Sequence, residues 1–350
     1  MPGPWSQRLL TLLQLTRMAL VFTAIADGWC GLLLWERARA GVNAPLTELL
    51  HPWRMLGMAV ASVGLYGFGM SLNDIIDRRR DRQISPTRPI PSGRVSLMTA
   101  HLICGALAAL ALAGGVTVRM AGGPDLSVAL VAVTLGLISF YDLAGKYLVG
   151  PGLVTLGLVR FAHACIPALE AAHPWLTGDG RPGVWHPFIW HPLWLLNHVV
   201  ILSTVCYLWE EKRPSLNVRH WAWVLLSLLM IDAAVLYAVG TTGTGDFWRN
   251  TRFDLYLALP LSKSLVFVGI ALYVRKKAPT SREAGQATML YGLLWLIVYD
   301  ACFAGMWVHW AAGLGIVALA PVAYGSVKVM RGWSKLVAAS QRPEFRRAGT

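Results

Sequence analysis

Apolar runs recur along almost the whole chain, separated by short polar or charged stretches. Ten of them approach or reach the roughly 20 residues that a helix needs to cross a bilayer. They lie near 18–36, 55–72, 97–118, 126–143, 150–170, 192–209, 221–240, 255–274, 287–305 and 311–330. The last two also read as one broken or re-entrant element, which makes nine spans the alternative to ten. Hydrophobic residues make up 55% of the 350 positions and charged residues 14%, too little polar surface for a soluble protein of this length. Mean hydropathy is +0.51. The fold class is therefore all-α, a polytopic transmembrane helical bundle, with residues 1–350 read as a single integral membrane domain.

The net charge of +13 does not point to nucleic acid, because the basic residues sit in the loops between apolar runs. With ten spans, 22 of the 31 Lys and Arg residues fall on one side, counting Lys328 at the end of the tenth run with the C-terminal tail, and seven on the other; Arg160 and Lys263 remain deeper inside apolar runs. That asymmetry predicts both termini and the basic loops in the cytoplasm of a cell whose inner or plasma membrane holds the protein. The first apolar run starts beyond Arg17 and continues to Glu36, as a retained span does rather than a cleaved signal. All five cysteines fall in apolar segments without metal-ligand spacing, and packing is their expected role. The loop near 171–191 carries Trp175, Trp185, Trp190, His173, His186 and His191; the irregular spacing favours an interfacial aromatic belt over a metal site.

The second run ends in Asn73-Asp74-Ile75-Ile76-Asp77-Arg78-Arg79-Arg80-Asp81. On a continuing helix Asp74, Asp77 and Asp81 share one stripe, with Asn73 one turn before Asp77. Convergent carboxylates at a helix end suit Mg²⁺, which is held by a few carboxylates together with phosphate oxygens of a substrate. A loop stiffened by Pro89, Pro91 and Gly93 follows, from which Arg88 and Arg94 can face phosphate. The competing explanation, a charged helix end with an orienting basic loop, accounts for the arginines but not for three regularly spaced aspartates. Asn73-Asp74-x-x-Asp77-x-x-x-Asp81, followed by Arg88-Pro89-Ile90-Pro91-Ser92-Gly93, resembles the first aspartate-rich motif of the UbiA superfamily of intramembrane prenyltransferases. The resemblance implies about nine helices around a central cavity, with Mg²⁺ and an isoprenyl diphosphate at its cytoplasmic end. It weakens after about residue 215.

Further positions extend the likeness. Tyr141 and Lys146, at the end of the fourth run, are similar to the family's tyrosine–lysine motif, in which the lysine clamps the diphosphate and the tyrosine donates to it. Arg160 falls mid-span, where a charge is expensive and must face a cavity or a partner. The pattern Arg160-Phe161-Ala162-His163 resembles a UbiA-like subfamily with asparagine where this chain has His163. Asp27, in the first run, pairs with Arg160 or a substrate hydroxyl, or else makes a buried helix–helix hydrogen bond. Asp232, Asp300 and Lys263 read as bundle contacts. In place of the family's second aspartate motif the chain has Glu210 and Glu211, about 100° apart on a helix, so they are unequal ligands. They hold a second Mg²⁺ or form an interfacial charged end.

The implied activity is Mg²⁺-dependent transfer of an isoprenyl group from its diphosphate to a hydrophobic or aromatic acceptor, within the lipid bilayer. Asp74, Asp77 and Asp81 hold metal; Arg88, Lys146 and Tyr141 stabilise the leaving diphosphate; Asn73, Arg160, His163 and Asp27 contact substrate. Quinone, haem, chlorophyll, phosphoribosyl and glycerol-phosphate acceptors all occur in the superfamily. The rivals are a non-catalytic prenyl-lipid binder of the same fold and a secondary transporter; no inverted repeat is visible to support the latter.

Overall fold

The computed structural model describes residues 4–41, 43–172, 186–240 and 255–340, and the regular structure within them is helical throughout. Helix α1 (Pro4–Leu15) leads through a short 3₁₀ turn into α2 (Val21–Ala40); α3 (Leu46–Leu49) is a single turn. Then come α4 (Pro52–Ile76), α5 (Arg78–Ile84), α6 (Leu97–Met120), α7 (Ser127–Leu143) and α8 (Val149–Ala172). The second half holds α9 (His186–Trp209), α10 (Val218–Gly240), α11 (Ala258–Lys277), α12 (Ser281–Trp307), α13 (Trp310–Val317) and α14 (Leu319–Ser340).

Ten of the described helical segments are long and apolar enough to cross a membrane. The tenth, Trp310–Trp333, joins α13 to α14 at Ala318 and is separate from Ser281–Trp307, which gives ten candidate spans among the described residues. Most helices run past the expected ends, because backbone hydrogen bonding continues where hydropathy fades. Two expectations change. The segment 1–17, read as a tail, contains α1, whose 12 residues are too few to span a bilayer. The loop expected to reach residue 191 ends earlier: α9 starts at His186, and His191 is fully buried inside the bundle rather than at an interface. His173, Trp175 and Trp185 lie outside the described residues.

Burial separates an inner set of helices from a lipid-facing one. In the first span 72% of the apolar window is buried, against 11% in α10 and 17% in α11. Leu225, Leu226, Leu229 and Met230 on α10 are exposed, which suits a helix solvated by acyl chains. The inner helices close a ring: α2 packs on α4, α4 on α7, α7 on α8, α8 on α9, α9 on α12, and α12 and α14 return to α2. Outside the ring, α6 lies against α4 at very close range. A methyl at Gly64 would overlap the backbone of Ala111, and one at Gly114 the backbone of Ala61. Small residues permit that approach where no hydrophobic effect drives helices together in lipid. The far end of α2 is tied to α4 by a buried ion pair, Glu36 Oε1 to Arg54 Nε at 2.6 Å. All five cysteines are buried free thiols, in line with a packing role.

Candidate active site

The ring encloses a cavity of about 940 Å³, walled by α4, α7, α8, α9, α12 and α14 and reached by α1 and the start of α2. Most of its wall is aliphatic, and polar residues gather at two stations. One is the mouth beside the end of α4; the other is a floor near the middle of the bundle.

At the mouth the aspartates occupy the end of α4 and the start of α5. The helix breaks formally at Asp77, yet Asp77 N–H still donates to the Asn73 carbonyl and Asp81 N–H to the Asp77 carbonyl, each at 2.9 Å. The four-residue repeat survives the break, and with it the shared stripe. Every aspartate of the stripe meets a cation. Arg17 Nη2 lies 2.9 Å from Asp74 Oδ1, Arg88 Nη1 2.5 Å from Asp81 Oδ2, and Lys146 Nζ 2.8 Å from Asp77 Oδ1. Arg88 Nη1 also stands 3.5 Å from Asp74 Oδ1, so one nitrogen bridges two carboxylates. Lys146 Nζ donates to Asn73 Oδ1 at 3.2 Å and lies 3.8 Å from Asp142 Oδ1. Three cations thus oppose the three carboxylates of the stripe, with Asp142 a fourth carboxylate beside Lys146.

The loop after α5 aims Arg88 inward. Its turn is closed by Val95 N–H to the Pro89 carbonyl (3.1 Å) and carries Gly93 at a positive φ of 74°, where glycine is unstrained. Arg94 does not share that direction. It donates to Gln14 Oε1 at 2.7 Å and to the Thr87 carbonyl at 2.5 Å, bracing the loop against α1. Tyr141, Asp142 and Asn73 line the cavity.

The floor is built by α2, α4 and α8, backed by α9 and α12. Arg160 and His163 line the cavity. Arg160 donates from Nη1 to Asp27 Oδ2 (2.6 Å) and from Nη2 to Thr23 Oγ1 (2.9 Å). His163 Nε2 lies 3.0 Å from Ser62 Oγ. Behind them Asp300 Oδ1 stands 2.7 Å from His191 Nε2. Asp27 and Asp300 have no exposed surface. Mid-bilayer charges require such partners, since each would be costly alone in hydrocarbon.

Glu210 and Glu211 stand apart from both stations. Neither lines the cavity; Glu210 pairs with Lys212 (3.2 Å) and packs on Gly285, while Glu211 sits beyond the end of α9 at φ 52°. Three contributors were not singled out from the sequence. Arg17 reads in the sequence only as an orienting charge, and its left-handed φ of 46°, rare for a side chain with a Cβ, is invisible in composition. Asp142 sits inside the quoted tyrosine–lysine stretch. His191 had been placed in a loop.

Aspartates striped along a helix end each face a cation at the mouth of an apolar cavity. A model described as the UbiA prenyltransferase family matches residues 38–282, well over half of the chain. The chain belongs to the UbiA prenyltransferase family. A 4-hydroxybenzoate octaprenyltransferase of Sodalis glossinidius (strain morsitans) is 28% identical over an alignment of 147 residues, covering 37% of this chain and 47% of that enzyme. The match thus spans less than half the length of that relative. A UbiA homolog from Archaeoglobus fulgidus superposes with a TM-score of 0.53 at 15% identity, covering 88% of this chain and 99% of that one. A digeranylgeranylglyceryl phosphate synthase gives 0.51 at 17% identity, covering 92% and 99%. These likenesses show a UbiA fold and a multi-pass membrane protein. They extend through the region after residue 215, where the sequence motifs fade.

Proposed function

We propose that this UbiA-family protein transfers an isoprenyl group from its diphosphate to a hydrophobic, aromatic acceptor inside the bilayer, with Mg²⁺ as cofactor. The observation that carries the reading is the paired cluster of Asp74, Asp77 and Asp81 with Arg17, Arg88 and Lys146 at the mouth of an apolar cavity. The oxygens fit Mg²⁺. Lys146 Nζ sits among oxygens of Asn73, Asp77 and Asp142, and Arg88 Nη1 between those of Asp74 and Asp81. Both nitrogens occupy places that a cation ringed by hard oxygen ligands would take.

Asp74, Asp77 and Asp81, with Asn73, would hold the ion, which when bound neutralises charge on a diphosphate leaving group. The chain's own residues supply the rest. Arg17, Arg88 and Lys146 exchange carboxylate partners for diphosphate oxygens, and Tyr141 donates from the cavity wall. Negative charge that builds as the C–O bond breaks is met by donors already in place. The aliphatic wall excludes water that would otherwise quench an allylic cation. The isoprenyl chain leaves the reacting centre between Leu20 of the entry turn and Val327 of α14, both on the cavity wall. Arg160, His163 and Asp27 form the acceptor end. With the basic loops cytoplasmic, diphosphate enters from the cytoplasm.

The test is direct. Purified protein in nanodiscs is given Mg²⁺, isoprenyl diphosphates of several lengths and 4-hydroxybenzoate or a lipid extract, and products are sought by mass spectrometry. Prenylated product and diphosphate release are expected, both lost in Asp77→Asn. Tight diphosphate binding without release under every condition would favour the second reading, a non-catalytic prenyl-lipid binder; the position of Glu210 and Glu211 off the cavity wall speaks for that alternative.

A further inference from the structure

Among the described residues three arginines line the central cavity: Arg17, Arg160 and Arg331. Two of them are engaged. Arg17 Nη2 lies 2.9 Å from Asp74 Oδ1, and Arg160 Nη1 lies 2.6 Å from Asp27 Oδ2. Arg331, on α14, makes no ion pair or hydrogen bond with any described residue. Its guanidinium is a charge on the cavity wall with its donors unspent.

Helical spacing puts Arg331 on the cavity face of α14. Val327, Met330 and Arg331 stand at i, i+3 and i+4, so they share one stripe, and all three line the cavity. Val327 is buried in the wall, whereas Arg331, one turn nearer the end of the last span, is exposed at the rim. With ten spans running up and down, the second and the tenth end on the same side of the bundle. The second ends at the aspartates. In addition α14 packs on the 3₁₀ turn Met18–Leu20, which directly follows Arg17. Arg331 therefore belongs to the mouth and not to the floor.

Orientation does not ask for this placement. Lys328, three residues earlier, serves the charge bias equally well without lining the cavity; its Nζ lies 4.7 Å from the centre of the Tyr324 ring. Energetics also set Arg331 apart from the other cations. Arg17, Arg88 and Lys146 each give up a carboxylate when they take a diphosphate oxygen, which offsets part of the gain. Arg331 gives up only water.

We infer that Arg331 is a fourth diphosphate-binding cation, supplied by the last span, and the one whose contribution is independent of metal. The inference rests on the prenyltransferase reading above. Mg²⁺ among the aspartates displaces Arg88 and Lys146 from the oxygens they occupy, and so changes what those two can offer an anion. It alters nothing that Arg331 holds.

Arg331→Gln tests this by calorimetry in nanodiscs with an unreactive isoprenyl thiolodiphosphate, once with Mg²⁺ and once with EDTA. Affinity should fall about 10- to 150-fold, the worth of one charge-assisted hydrogen bond, and by the same factor in both conditions. Arg331 is exposed, so the fold tolerates the change, and Arg331→Lys, which keeps the charge, should recover part of the affinity. Lys328→Gln removes an equal charge from the same helix and should stay within about twofold of wild type, since a charge off the cavity wall is screened. Unchanged affinity in Arg331→Gln overturns the inference, as does an equal loss in Lys328→Gln or a loss seen only with Mg²⁺. A separate arm with inorganic diphosphate and a turnover assay divides the two readings. Wild-type protein that binds inorganic diphosphate, weakly so in Arg331→Gln, yet transfers no isoprenyl group refutes the transferase reading and upholds the inference. Normal transfer, with Arg331→Gln binding as tightly as wild type, does the reverse.

Discussion

Removing Arg88 should tighten Mg²⁺ binding while weakening diphosphate binding. In the ligand-free mouth Arg88 Nη1 competes for the oxygens that metal would use, at 2.5 Å from Asp81 and 3.5 Å from Asp74. Its side chain is 33% exposed, so solvent screens the attraction, and about 1 kcal/mol is a fair upper figure for the pair. Releasing that competition in Arg88→Gln corresponds to about fivefold tighter Mg²⁺ in the absence of substrate, since 1.4 kcal/mol is tenfold. Diphosphate loses a charge-assisted hydrogen bond worth about 1.5–3 kcal/mol, which is about 10- to 150-fold. Metal and diphosphate should therefore favour each other's binding strongly in wild type, because each frees the partners the other needs, and less so in the variant. Calorimetric titration of Mg²⁺ into nanodisc-embedded protein, with and without an unreactive isoprenyl thiolodiphosphate, measures both affinities and their coupling. Mg²⁺ affinity that is unchanged or reduced in Arg88→Gln would show that Arg88 does not stand in the metal's place.

Two further outcomes follow from the floor and from the end of α9. Asp27→Asn leaves the Arg160 guanidinium buried without its 2.6 Å carboxylate and should cost about 3–5 kcal/mol, with Asp27→Asn/Arg160→Gln recovering part of it; thermal unfolding in detergent reports the cycle, and additive losses would mean the two are not coupled. Glu210→Gln should leave the Mg²⁺ dependence of turnover within about twofold of wild type, since an ion pair with Lys212 of this kind contributes little; a raised Mg²⁺ requirement would restore Glu210 as a ligand of a second ion.

The bundle was legible because bilayer thickness imposes one length on every span and the absence of water imposes one backbone geometry. The mouth was half legible. Asp74, Asp77 and Asp81 announce themselves by helical spacing, and the hydrogen bonds through Asp77 preserve that spacing across a formal break. Arg17 does not, since its use depends on a left-handed residue between α1 and the first span that no periodicity encodes. The floor was legible as three isolated polar residues, Asp27, Arg160 and His163, and the 2.6 Å contact of the first two joins positions 133 apart in sequence. Asp300 and His191 escaped for the same reason: α9 and α12 meet only in the closed ring, and one polar residue per span reads as an ordinary bundle contact.

The charge bias and the anion site draw on the same residues, and it matters whether the one explains away the other. Arg17, Arg88 and Lys146 are bound to aspartates at the mouth and so are not free to serve only as topological markers. Removing all three from the count still leaves nineteen Lys and Arg on that side against seven on the other. The proposed cytoplasmic orientation therefore stands without them. Conversely, orientation alone requires no aspartate opposite each cation, and carboxylates contribute little to the bias. The pairing at the mouth is thus surplus to topology, as the proposed binding of an anion together with a cation requires.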